Sequence, residues 1–146
     1  MTTVAEILKS KPSVQVHSVA PADTVLAALR LMADKGIGAL MVMEGDAIAG
    51  IFTERDYARK VVLLGRSSGD TPVRDVMTHA VRFVTPAHTT EQCMALMTDG
   101  RLRHLPVVDE GRVVGLVSIG DLVKTVISQQ QFIIEQMELY ISGTSP

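Results

Sequence analysis

Residues 21–56 return 65 positions later, without a gap, as residues 86–121. Ten of the 36 aligned positions are identical: Pro21/Pro86, Ala22/Ala87, Thr24/Thr89, Leu31/Leu96, Met32/Met97, Asp34/Asp99, Leu40/Leu105, Val42/Val107, Gly50/Gly115 and Asp56/Asp121. Ile37/Leu102, Ile48/Val113, Ile51/Leu116 and Thr53/Ser118 exchange conservatively. The likeness reaches outward to Val16/Val81 and Val19/Val84 and, shifted by four residues, to Val4/Val73. Periods of about 20–50 residues usually mark arrays that need several stacked units. Two longer units predict a closed pair about a pseudo-twofold axis instead. Such a pair carries two equivalent clefts, and both copies end in the same kind of polar tetrad, Thr53-Glu54-Arg55-Asp56 and Ser118-Ile119-Gly120-Asp121.

Each copy has the same predicted order. Val14 to Val19 alternates apolar and polar, as a half-buried strand does. Asp23 or Thr24 caps a helix whose Val25, Leu29 and Met32 share a face, and Gly36 ends it in the left-handed conformation. Ala39–Met43 and Ile48–Phe52 flank the turn Glu44-Gly45-Asp46 and predict a β-hairpin. A helix from Glu54 to Leu64 follows. Copy two repeats this with a strand at Val81–Val84, a helix from Thr90 to Asp99, a hairpin of His104–Val108 and Val113–Val117, and a helix from Gly120. The fold class is therefore α+β, a tandem pair of β-α-β-β-α motifs related by a pseudo-twofold axis, plus a C-terminal helix. The expected organisation is a first motif over 1–64, a turn-rich linker over 65–72, a second motif over 73–128 and a helical extension over 129–146, the two motifs forming one globular module.

The extension has no counterpart in copy one. Val123, Ile127, Gln130, Ile134, Met137 and Ile141 recur at alternating four- and three-residue spacing, for less than the three heptads a coiled coil needs. The helix either packs back on its own core or contributes to a homodimer; Phe132 and Ile133, off the seam, point to burial on more than one side and favour the dimer.

Composition narrows the function classes. Aromatics are 3% of the 146 residues and Trp is absent, so stacking platforms for single-stranded nucleic acid are scarce. The first 72 residues carry 8 basic and 8 acidic side chains and the rest 6 and 8, a net charge of −2 with no broadly basic lobe. Nucleic-acid binding through phosphate contacts is not expected. Cys93 is the single cysteine, which rules out an intramolecular disulfide; its apolar helical setting predicts a buried, inert thiol. Residues 1–12 lack a signal-peptide core and no run approaches 18 apolar residues, so the expectation is a soluble cytoplasmic protein with no membrane partner. His17, His79, His88 and His104 show no zinc-ligand spacing, and no Ser-His-acid set, P-loop or G-x-G-x-x-G is visible. Neither a metal nor an enzymatic activity is expected.

The tetrads carry the chemistry that remains. Each joins a hairpin strand to a helix, whose N-terminus offers unpaired N–H groups and the positive end of the dipole to an anion. The hydroxyl adds a phosphate partner, and an ionised Asp three residues on has two acceptor oxygens suited to the adjacent hydroxyls of a ribose. The competing reading is structural: a hydroxyl followed three residues later by an acid is also a capping box.

Here the chain resembles the CBS-domain pair, named for a domain of cystathionine β-synthase. The resemblance spans Val4 to about Ile127 and is carried by the repeat order, by Arg103-His104-Leu105-Pro106-Val107-Val108-Asp109, by the Gly115 strand and by the two tetrads. The run Thr53-Glu54-Arg55-Asp56-Tyr57-Ala58-Arg59-Lys60-Val61 is similar to that of small stand-alone bacterial members. The resemblance implies a regulatory, non-catalytic module binding AMP foremost, or ADP, ATP or NAD(H), with S-adenosylmethionine last, in clefts between the motifs. It also implies a homodimer and a separate, unidentified effector protein. Asp56 and Asp121 would hold ribose hydroxyls, and Thr53 and Ser118 would meet phosphate. Adenine would lie against the main chain of Ile37-Gly38-Ala39 and Leu102-Arg103-His104, walled by His17-Ser18 and Arg82-Phe83. The copies differ: copy two has Arg101, Arg103 and His104 where copy one has Gly36, Gly38 and Ala39, and copy one has Arg55 where copy two has Gly120. Arginine engages phosphate bidentately, while Gly120 lets a ligand approach the backbone. Unequal affinities are expected. Against this, Arg101 and Arg103 could simply complement a helix C-terminus and face water.

Overall fold

The computed structural model describes residues 2–143; Met1 and the last three residues of the expected 129–146 extension lie outside them. Thr3 opens helix α1 (Val4–Ser10) through a reciprocal capping box with Glu6, and the helix buries Val4 and Ile7. Their neighbours are not in copy one. Val4 and Ile7 join Val84, Cys93, Met97, Leu105, Val107, Val117 and Leu122 in the core of copy two. The matching residues ahead of copy two, Val73, Val76 and Met77, follow suit: around a 3₁₀ turn (Val73–Asp75) they enter the core of copy one beside Val25, Ala28, Met32, Leu40, Val42, Phe52 and Val61. The main chain repeats the exchange. The N–H of Val4 donates to the His88 carbonyl (2.8 Å) and that of Ala5 to Pro86 (3.0 Å), while Val73 donates to Asp23 (2.8 Å) and Arg74 to Pro21 (3.0 Å). Each copy's leading segment thus completes the other copy's core, so neither copy buries its apolar face alone.

Within copy one, β1 (Ser18–Val19) runs parallel to β2 (Ala39–Glu44), which pairs antiparallel with β3 (Ala47–Thr53). Helix α2 (Val25–Lys35) is capped by Thr24 and ends on Gly36 at φ 65, as the sequence predicts. Strand β2 is buried on both faces. Leu40 and Val42 pack under the helices, while Ala39 and Met41 form with Ile51 a second cluster reached by Val81 and by Leu116 of copy two. That cluster joins the two sheets. Copy two has α4 (Thr90–Gly100) and the hairpin β4 (His104–Asp109) and β5 (Arg112–Ser118). Cys93 is buried, as expected, and burial pushes its thiol pKa up.

Two expectations need correction, and the two readings of the last helix can be compared. The strands foreseen at Val14–Val19 and Val81–Val84 shrink to β1 and to a single parallel bridge, Val84 with Val107. In copy one the Met41 N–H donates to the His17 carbonyl (3.3 Å) and extends the pairing; Pro106 stands at the equivalent position and has no N–H to give. The helix from Glu54 to Leu64 begins as α3 (Glu54–Asp56) and unwinds into a π-helical stretch, Tyr57–Val62, that keeps Val61 in the core. The final helix, α5 (Ile119–Ile141), anchors through Leu122 and touches α1, α4 and β5, but its distal half does not fold back: Phe132, Ile133, Met137, Tyr140 and Ile141 are all exposed. Packing back on its own core, the less favoured of the two readings, is not met along that half. No helix among the described residues is long and apolar enough to cross a membrane.

Candidate functional site

The hairpins set each tetrad beside the segment that follows the preceding helix. Ala39 pairs with Thr53 and His104 with Ser118. Just beyond, the Glu54 N–H donates to the Gly38 carbonyl (3.1 Å) and the Ile119 N–H to the Arg103 carbonyl (2.8 Å). Because the sheets face each other, two clefts open between the copies. The first, about 510 Å³, brings Thr53, Arg55 and Asp56 together with Gly38 and with Leu102, Arg103 and His104 of the other copy. The second, about 420 Å³, brings Ser118 and His104 together with His17, Ile37, Gly38 and Ala39. Gly38 and His104 border both.

Five residues singled out from the sequence line neither cleft. Ser18 sits in the β1–β2 pairing, Arg82 pairs with Asp99 (2.9 Å), Phe83 is half exposed and Gly120 is exposed beyond its cap. Asp121 lines instead a groove of about 710 Å³ between α1 and α5. Among the described residues, no cluster of His, Cys, Asp and Glu could hold a metal.

Both tetrads form closed capping boxes, but the two carboxylates are engaged differently. Asp56 is 6% exposed. Its Oδ2 accepts from the Thr53 N–H (3.0 Å) and hydroxyl (3.1 Å), and its Oδ1 from the Thr78 hydroxyl (3.1 Å) and Lys60 Nζ (3.1 Å). Asp121 accepts through Oδ2, from the Ser118 N–H (2.9 Å) and from Lys11 Nζ (3.0 Å), which also donates to the Leu116 carbonyl (2.7 Å). Burial works to raise the Asp121 pKa, but the Ser118 hydrogen bond and the Lys11 ammonium outweigh it and hold the carboxyl below its ordinary value. At His104, burial depresses the imidazole pKa and prevails over the opposing pull of Asp121 and Glu54.

The clefts also differ in charge. Arg55, Arg59, Lys60, Arg101 and Arg103 line the first against Glu54 and Asp56; Lys11 and Lys35 line the second. Arg55 Nη1 donates to the Arg101 carbonyl (3.0 Å), a strut across the first cleft. Arg101 itself caps α4 in the left-handed conformation at φ 53, and its side chain is exposed.

Sequence reasoning missed Lys11, Arg59, Lys60 and Thr78. Lys60 was legible as the i,i+4 partner of Asp56. Lys11 and Thr78 were not, because each reaches the other copy's tetrad only through the exchanged leading segments.

A family model described as CBS domain matches residues 4–63 and 73–128. A solved structure of a protein with CBS domains from Burkholderia ambifaria superimposes with a TM-score of 0.85 at 60% identity, covering 88% of this chain and 96% of that one. The CBS domain-containing protein CBSX3, mitochondrial, of Arabidopsis thaliana is 39% identical over 150 residues, 97% of this chain and 73% of its own length. A hexameric CBS-CP12 protein from bloom-forming cyanobacteria is 27% identical with a TM-score of 0.74, covering 83% of this chain and 66% of that one.

Proposed function

The chain belongs to the CBS-domain family, and from that membership we propose that it is a non-catalytic sensor of adenine nucleotides, AMP foremost. Tandem CBS domains are generally regulatory nucleotide-binding modules. ADP, ATP and NAD(H) share the recognised edge; S-adenosylmethionine lacks the phosphate and ranks last. The carrying observation is convergence. In each cleft a cap hydroxyl (Thr53 or Ser118) meets the main chain of a post-helix segment and lysine or arginine side chains; Asp56 lines the first cleft, and Asp121 is joined to the second through Lys11, which lines it. Asp56 and Asp121 take the ribose hydroxyls, Thr53 and Ser118 the phosphate, and the Ile37–Ala39 and Leu102–His104 main chain the base. His17 walls one base, and Arg55 supplies charge to the first cleft.

The exposed apolar end of α5 supports assembly as a homodimer, with output passing to a separate effector chain in the cytoplasm; the hexamer reported for the cyanobacterial relative is in keeping with assembly. The closed boxes favour one competing reading, a ligand-free interaction module whose tetrads are caps only.

Melting curves of ligand-stripped protein with AMP, ADP, ATP, NADH and S-adenosylmethionine separate the two. A nucleotide at 100 times its Kd adds about 2.7 kcal/mol per site, a rise of about 5–10 °C at this chain length. Asp121→Ala should shrink that rise. If the tetrads are caps alone, Asp121→Ala costs about 0.5–2 kcal/mol and alters no ligand response. No shift with any adenosine compound overturns the sensor.

A further inference from the structure

The second cleft is closed on one side by a strap. Residues 11–17 leave α1, which packs on copy two, and cross to β1 of copy one without regular structure; all but Pro12 line the cleft. Lys11 begins the strap and pins it, with Nζ 2.7 Å from the Leu116 carbonyl and 3.0 Å from Asp121 Oδ2. Lys11 lines the cleft and Asp121 does not, while both line the groove on the other side. Lys11 is thus the residue that both borders the cleft and holds the carboxylate.

We propose that Lys11 is a latch that makes the second cleft selective for phosphorylated nucleosides over bare ones. The proposal rests on the nucleotide reading of that cleft and adds the class of ligand it accepts. When a nucleotide enters, Nζ passes from the Asp121 carboxylate to the phosphate, and Oδ2 takes a ribose hydroxyl in its place. The ammonium keeps an anionic partner throughout, so a charge-assisted bond is exchanged and not lost. A nucleoside offers Asp121 the same hydroxyls but gives Lys11 nothing. The two side chains are only 24% and 15% exposed, so water replaces the lost partner poorly. The other ammonium lining the cleft, Lys35, is paired with Asp34 (3.8 Å). The first cleft has no such latch: Lys60 holds Asp56 from within its own helical turn, and Arg59 and Arg103 supply charge there without breaking that pair.

Titration calorimetry of the intact, ligand-stripped protein with AMP and with adenosine tests this. Because a hydrogen bond to a charged group carries roughly a 10- to 100-fold effect, wild type should prefer AMP by about that factor at one class of site. Lys11→Met should bring the two ligands within about threefold, chiefly by strengthening adenosine, which no longer has to strand the ammonium. Lys11→Arg, which keeps the cation, should retain the preference. If the Met variant fails to fold, Lys11→Gln, which still donates to the Leu116 carbonyl, carries the same comparison. A preference for AMP over adenosine that survives the loss of the ammonium, or equal affinity of wild type for AMP and adenosine, overturns the latch alone. Wild type that binds neither compound overturns the nucleotide reading and the latch with it.

Discussion

Gly50 and Gly115 occupy one position of the repeat, yet alanine should be tolerated at only one of them. A Cβ on either would meet an atom at 2.7 Å; at Gly50 that atom is the Thr78 carbonyl oxygen, with Met77 Sδ at 2.8 Å, and at Gly115 it is Leu8 Cδ2. Neither glycine has a positive φ, so space alone decides. The Thr78 backbone cannot retreat cheaply, because its N–H donates to the Ile51 carbonyl (2.8 Å) and its own carbonyl accepts from the Ile51 N–H (3.0 Å). Losing both bonds costs about 0.5–1.5 kcal/mol each, and the overpacking about 1–3 kcal/mol, so Gly50→Ala should destabilise by about 2–6 kcal/mol. Leu8 is half-buried and can turn its isobutyl group aside for about 0.5–1.5 kcal/mol. Urea unfolding of the two variants beside wild type, compared at a common m-value, gives the ordering. Equal losses, or a larger loss for Gly115→Ala, would refute the claim that backbone and side-chain obstacles differ here.

His104 should make the fold acid-sensitive. Its folded pKa lies below the ordinary 6.5, so as pH falls through 6.5 the unfolded chain takes the proton first and stability declines. Urea midpoints at pH 7.5 and about 5.5 should differ in wild type and converge in His104→Gln; an undiminished difference in the variant would remove His104 as the cause. Ending the chain at Ser128 should leave the fold nearly as stable, since residues 130–141 contain no buried side chain, while light scattering should show the mass halved. An unchanged mass would acquit α5 of any part in assembly.

How far the sequence disclosed the molecule follows from which interactions are local. Thr24, Gly36 and the two hairpins act within a few residues, so cap and turn chemistry placed them correctly. The tetrads were legible for the same reason, and their boxes are closed as capping geometry requires. What escaped was non-local. Pro106 ends a ladder whose other strand lies more than twenty residues away, and its effect appears only once the parallel pairing is known. The exchange of leading segments was hidden because Val4 and Val73 look alike whichever core they enter. The line-up of the clefts was hidden with it.

That exchange also bears on the contest between cap and clamp. The segment ahead of copy one delivers Lys11 to Asp121, and the segment ahead of copy two delivers Thr78 to Asp56. Each tetrad acid is therefore a cap within its helix and a fastener between copies. In the proposed reading, a ligand that claims such an acid loosens a contact between the halves and so couples occupancy of a cleft to shape. Asp56, with four donors on two oxygens, resists that exchange more than Asp121, whose bonds to Ser118 and Lys11 both meet one oxygen. Asp121 also lies in the first turn of α5, a 23-residue rod about 35 Å long whose far end carries the uncovered apolar side chains. The more yielding tetrad and the exposed apolar side chains are thus two ends of one helix.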